Sequence, residues 1–167
     1  MNGMLKVGSK LLALITILAL SQCRIDKCEE EAPSIEFYKY AYFAADPGDP
    51  CAADSLVLYT QFVDCQGDVG LNGSTDTTKN LRTYLYEFID GEWKRFEHAN
   101  PRDTVLFFSQ VPKSNKLVED QKAEGIIEQS LGSIRQNSDT IRFEVQLIDR
   151  AGNRSNKITT PEFVFPN

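Results

Sequence analysis

TIRFEVQLID, residues 140–149, decides the fold. Ile141, Phe143, Val145 and Leu147 alternate there with Arg142, Glu144 and Gln146. Successive side chains of a strand point to opposite faces, so this alternation buries one face and wets the other. A sheet with one dry and one wet face is antiparallel as a rule, because parallel sheets are covered on both sides. Upstream, LRTYLYEFI at residues 81–89 is a second strand of the same kind. Asp90-Gly91 follows it, a two-residue hairpin signal, with the return strand at residues 92–97.

The pattern continues in both directions. SLVLYTQF, residues 55–62, turns Leu56, Leu58 and Phe62 inward. SIEFYKYAYF, residues 34–43, is the first strand. Period 2 places Ile35, Phe37, Ala41 and Phe43 on one face, interrupted by Lys39, and Glu36, Tyr38, Tyr40 and Tyr42 on the other. Further strands are expected at 105–111 and within 116–131, centred on Gly125-Ile126-Ile127. Gly125 argues for strand over helix in that stretch. Residues 157–165 close the domain, with Pro161 marking an edge or a bulge. Polar, Gly- and Pro-punctuated loops separate these runs at 44–54, 64–70, 72–80 and 150–156. Seven or eight short strands with turn-punctuated spacing predict an all-β chain, an antiparallel β-sandwich over residues 34–167.

The first 22 residues stand apart. Lys6 and Lys10 precede an apolar run at 11–20, broken only by Thr16, and Leu20-Ser21-Gln22-Cys23 ends it. A basic segment, a short apolar segment and a small-residue cleavage site make a secretory signal. The run is too short to span a membrane, which takes roughly 20 apolar residues. Residues 1–22 hold two of the 18 basic residues and none of the 24 acidic ones, so 16 basic against 24 acidic remain, a net charge of −8. That balance, without a basic cluster, argues against nucleic acid and against an anionic membrane surface as partners. An aromatic content of 10% argues for a packed core rather than disorder.

The signal, with its Leu20-Ser21-Gln22-Cys23 ending, resembles the lipobox of bacterial lipoproteins. Leu20 and Ser21 match that pattern, and Gln22 departs from the usual Gly, Ala or Ser. The resemblance implies cleavage before Cys23, a diacylglyceryl group on its thiol, and a lipid-anchored tether over 23–33. It places the protein in the bacterial cell envelope, on the outer membrane, held to that membrane through its anchor. The acidic run Glu29-Glu30-Glu31 resembles signals that send some lipoproteins to the outer face, and reads equally as a solvated linker.

FVDCQGDVG at 62–70 and DRAGNRSN at 149–156 resemble bacterial surface domains of immunoglobulin or fibronectin type III type. The resemblance implies an immunoglobulin-like sandwich. The Cys…Trp…Cys core of antibody domains is absent, since Trp93 follows a hairpin instead. Members of such families are mostly uncharacterised, and fold does not fix function.

Three sets of residues are candidates for chemistry. Asp64, Gln66 and Asp68 alternate as oxygen donors do in calcium loops, although no acid stands at the twelfth position, Thr75. Asp149 and Asn153 join them only if their loop lies at the same end of the sandwich. The plainer alternative is a glycine bend capped by Asp side chains. Calcium is the one cofactor suggested.

With Cys23 lipidated, Cys28, Cys51 and Cys65 remain, an odd number in a compartment that permits disulfides. Cys51 and Cys65 flank one strand about 25 Å long at ~3.3 Å per residue, and bridged Cα atoms lie within about 7 Å. Antiparallel pairing of the first two strands brings Cys28 to Cys65, leaving Cys51 free. A shorter strand or a folded-back loop makes Cys51–Cys65 the alternative.

Tyr38, Tyr40 and Tyr42 share a face by period and form a candidate platform for sugars or a protein partner. His98 is the single histidine and carries no nucleophile motif with it. The expected function is therefore a membrane-anchored, non-catalytic binding or structural module that meets envelope proteins or glycans. A glycan-binding lipoprotein beside a polysaccharide uptake system is the alternative, and an enzyme is the least expected.

Overall fold

The computed structural model describes residues 28, 30–46, 48, 53–70, 80–96, 107–109, 111, 121–132 and 137–166. The expected signal segment, Cys23, Cys51 and His98 lie outside the described residues. The described chain forms β1 (Ser34–Phe43), β2 (Ser55–Asp64), β3 (Leu81–Ile89), β4 (Glu92–Arg95), β5 (Phe107–Ser109), β6 (Ala123–Ser130), β7 (Thr140–Leu147), β8 (Ile158–Thr159) and β9 (Phe163–Val164). β8 and β9 are two pieces of one closing run, separated at Pro161, where a missing N–H interrupts a ladder.

Two antiparallel sheets face one another. One has the order β1-β2-β6, and the other β4-β3-β7-β8, with β5 added to β3 and β9 to β7. Lettered in chain order, this is A-B-E against C′-C-F-G, the arrangement of an immunoglobulin-like sandwich. The inward residues of both sheets make one core. Phe143, Ile35, Leu56, Leu58, Leu81, Leu85, Ile141 and Leu147 are fully buried in it. Each such side chain contributes on the order of 1.5–3 kcal/mol of burial. One polar bridge crosses this core, where Thr83 of β3 donates to Gln129 Oε1 of β6 at 2.8 Å.

The first strand departs from strict alternation. Its register against β2 slips between Phe37 and Lys39, a β-bulge at Tyr38. An extra residue re-aims everything after it. Ile35 and Phe37 face the core before the bulge, and Tyr40 and Tyr42 face it afterwards. Phe43, placed by period 2 on the same face as Ile35, is 56% exposed. The Asp90-Gly91 turn adopts φ of 57° and 81°, left-handed at both positions, as a type I′ hairpin requires.

Candidate functional site

The two loops carrying the surface-domain motifs meet at one end of the sandwich. Asp68 O accepts from Arg150 N at 3.2 Å, and Asp68 Oδ2 accepts from Ala151 N at 3.1 Å. Asp64 is wholly buried, and its two oxygens accept from Gln66 N at 3.1 Å and Val69 N at 2.8 Å. Asp149 accepts from Asn153 N at 2.7 Å and Asn153 Nδ2 at 2.9 Å. These carboxylates brace their own turns, as Asp side chains do in bends. Gln66 Oε1 and Asp68 Oδ1 are buried without a hydrogen-bond partner. Burial first, then the charges of Asp149 and Asp64, raise the Asp68 pKa above the ordinary carboxylate value. Among the described residues no three His, Cys, Asp or Glu side chains converge as a metal site.

The rest of the second motif is structural glue. Asn156 Oδ1 accepts from Ile35 N and its Nδ2 donates to Ile35 O, both at 2.8 Å, mimicking a strand partner for β1. Asn153 Nδ2 donates to Glu31 O at 3.1 Å. Ser155 Oγ accepts from Leu147 N at 2.9 Å. Cys28 and Cys65 form a disulfide at the same end, with Cα atoms 5.1 Å apart. The pairing follows from β1–β2 register, because Ser34 sits opposite Val63.

The tyrosine platform of the first strand does not form. The bulge separates Tyr38, 51% exposed, from Tyr40 and Tyr42, which pack against the core. Tyr40 donates to Thr160 Oγ1 at 2.6 Å, and its ring lies 5.4 Å from that of Phe163. Tyr42 donates to Asp54 Oδ2 at 2.6 Å, and Asp54 Oδ1 takes Ala45 N at 2.8 Å, which ties the two ends of the intervening loop together. Burial raises the Tyr40 phenol well above its ordinary range, against the opposing effect of the Thr160 hydrogen bond.

An aromatic face does exist, on the other sheet. Leu81, Thr83, Leu85 and Glu87 of β3 are buried, so Arg82, Tyr84, Tyr86 and Phe88 point outward. The hairpin register sets Trp93 opposite Phe88 and Arg95 opposite Tyr86, and β7 sets Arg142 opposite Tyr86 from the other side. The Arg142 guanidinium lies 4.2 Å from the Trp93 ring centroid and 5.8 Å from that of Tyr86. Arg95 lies 4.0 Å above Tyr84, and the Phe88 and Trp93 rings are 5.2 Å apart. Cations over ring faces are held electrostatically, by about 0.5–2 kcal/mol each. The Nε atoms of Arg82 and Arg142 are buried without a hydrogen-bond partner.

Sequence reasoning missed this face, although its signals were present. The R-x-Y-x-Y-x-F alternation in 82–88 is visible in the chain, and a two-residue turn at 90–91 already dictates which residues of β4 lie opposite. A recess between Ser34, Glu36, Gln61, Phe62 and Val63 holds about 160 Å³. That is below the roughly 300 Å³ at which ligand clefts begin.

No family model matches the chain, and no curated protein matches it. Among solved structures, it is similar to the crystal structure of a Niemann-Pick type C2 protein from Japanese carpenter ant, at 8% identity and a TM-score of 0.37. That match covers 84% of this chain and 97% of the other. A likeness this distant carries no inference about ligand or role.

Proposed function

We propose that the chain is a lipid-anchored, non-catalytic binding module of the bacterial cell envelope, held by an acylated Cys23 and presenting the outer face of β4-β3-β7. The observation that carries this reading is the polarity of the sandwich. The Cys28–Cys65 disulfide pins the N-terminal segment at one end. From Cys23 to Cys28 the chain reaches at most about 17 Å, so a lipid on Cys23 holds that end close to the bilayer. β3 starts at the same end, since Leu81 pairs with Leu147 beside the 149–156 loop. It then runs about 27 Å to the Asp90-Gly91 hairpin. The aromatic and arginine side chains thus rise from the anchored end to the outermost tip, where a fixed partner in the envelope would meet them.

The anchor is tested by intact mass of the protein from a bacterial membrane fraction, beside Cys23→Ser. The expected result is a chain beginning at Cys23 with added acyl mass, and release of Cys23→Ser from the membrane. An unacylated wild-type chain recovered from the soluble fraction would remove the anchor and leave a diffusible exported domain.

A further inference from the structure

We infer that the outer face of β4-β3-β7 binds an anionic polysaccharide, one whose sugar rings carry carboxylates. This deepens the binding role proposed above and does not depend on the lipid anchor. Two independent features of the face define the ligand.

The first is charge. The whole chain is acidic, with a formal net charge of −6. This face is the opposite. Arg82, Arg95 and Arg142 stand on it, and the β7 carboxylate among them, Glu144, is held by Lys157 at 3.0 Å. Neither Arg82 nor Arg142 forms an ion pair among the described residues. An acidic molecule that gathers unneutralised guanidinium groups on one face directs anions to that face. Arginine also matches the planar carboxylate with paired donors, and it keeps those in-plane donors while stacked on a ring.

The second is shape. The face is an open sheet surface with rings along one strand, Tyr84 and Tyr86, and Trp93 beside them. Residues two apart in a strand repeat every 6–7 Å or so. A row of rings at that spacing offers successive stacking positions along an extended polymer, not a closed pocket for a single small molecule. The ring surface that no guanidinium covers takes the apolar C–H faces of sugars, and the arginines stacked on the rings take the carboxylates. A neutral glycan would use the rings and leave the guanidinium groups idle. A nucleic acid is a polyanion too, so a single-stranded oligonucleotide is measured as the rival ligand.

The test uses the full mature protein, purified in a neutral detergent from whichever fraction holds it, membrane or soluble, with polygalacturonate as probe and fully methyl-esterified polygalacturonate as its uncharged counterpart. Affinity electrophoresis measures retardation at low and high salt. Wild type should be retarded by polygalacturonate, and the methyl ester should bind at least tenfold more weakly. Raising the salt should weaken the interaction severalfold. Arg142→Gln should lose tenfold or more. Because Arg142 also packs on Trp93, Arg82→Gln and Trp93→Ala are measured beside it, each expected to lose three- to tenfold with unchanged far-ultraviolet circular dichroism. Lys122→Gln, just before β6 of the opposite sheet, should bind as wild type does.

Absence of retardation, equal retardation by the ester, or retardation that survives both Arg82→Gln and Trp93→Ala would overturn the inference. So would a single-stranded oligonucleotide or an acidic peptide that binds the face more tightly than polygalacturonate. Acyl mass at Cys23 is read on the same preparation. Failure of the anchor and failure of the glycan site are therefore separate results.

Discussion

Asp68 shows how one residue decides between a brace and an ion site. Its carboxyl sits close enough to Asp64 and Asp149 for their charges to raise its pKa, on top of the effect of burial. An acid with a raised pKa in the fold contributes stability when protonated, and that contribution is lost as pH rises through the folded value. At neutral pH, ionised Asp68 is therefore a small liability. Asn keeps an oxygen for the Ala151 N–H and drops the charge. Asp68→Asn should raise stability at pH 7 by a few tenths of a kcal/mol once solvent screening is counted. The gain should shrink as pH falls toward 4 and vanish near pH 3, about a unit below the ordinary Asp value, where the wild-type side chain is largely protonated in both states. Thermal melts of both proteins in chelator, from pH 3 to 8, check this. Added calcium should leave both unchanged, because Asp64 and Asp149 already spend their oxygens on backbone and Asn153 donors. A calcium-dependent rise in wild type alone would show a cation site instead.

Strands are where the sequence spoke most plainly, and where one inserted residue misled it. The alternation at 81–89 and 140–147 translated directly into β3 and β7, because strong period 2 has a single structural solution. Gly125 marked its stretch as strand for a reason packing now makes concrete. It lies opposite Phe62, and a Cβ there would come within 3.1 Å of the Phe62 ring. The ring covers the bare backbone, an arrangement that compensates a strand glycine. Gly125→Val should therefore overpack the site and cost about 1–3 kcal/mol, read as a lower urea midpoint. Phe62→Leu, which clears part of that space, should soften the loss. An unchanged midpoint would mean that the ring swings aside at no cost. The bulge at Tyr38 was not legible in the same way. Lys39 standing in an apolar row was its trace, but a lone lysine fits an interrupted face as well as a shifted one. Only pairing with β2 distinguishes the two, and pairing is a property of the neighbour. The Arg and aromatic face was hidden for the same reason: its rows join three strands, and each strand alone looks like an ordinary wet face.

At the scale of the whole molecule, the disulfide joins two requirements that the sandwich alone does not meet. β1 is an edge strand whose N-terminal end is held by side chains, Asn156 on Ile35 and Asn153 on Glu31, rather than by a further strand. Any pull on the N-terminal segment acts on that corner first. Cys28–Cys65 moves the load onto β2, the central strand of its sheet. It also closes a loop with a sequence separation of 37, which restricts the unfolded chain. Chain-entropy reasoning puts that restriction at about 4 kcal/mol, and strain or residual structure reduces it in practice. A Cys28→Ala/Cys65→Ala variant should accordingly lose about 2–4 kcal/mol in urea unfolding while keeping its circular dichroism spectrum. Hydrogen exchange adds the local part. Amides at the start of β1 should exchange faster in the variant, by more than the global loss accounts for. β3 and β7 should slow or quicken only with global stability, since the disulfide touches neither. A loss below about 0.5 kcal/mol would mean that the asparagine contacts alone secure the corner. The cross-link would then serve the segment leading to Cys23 rather than the fold.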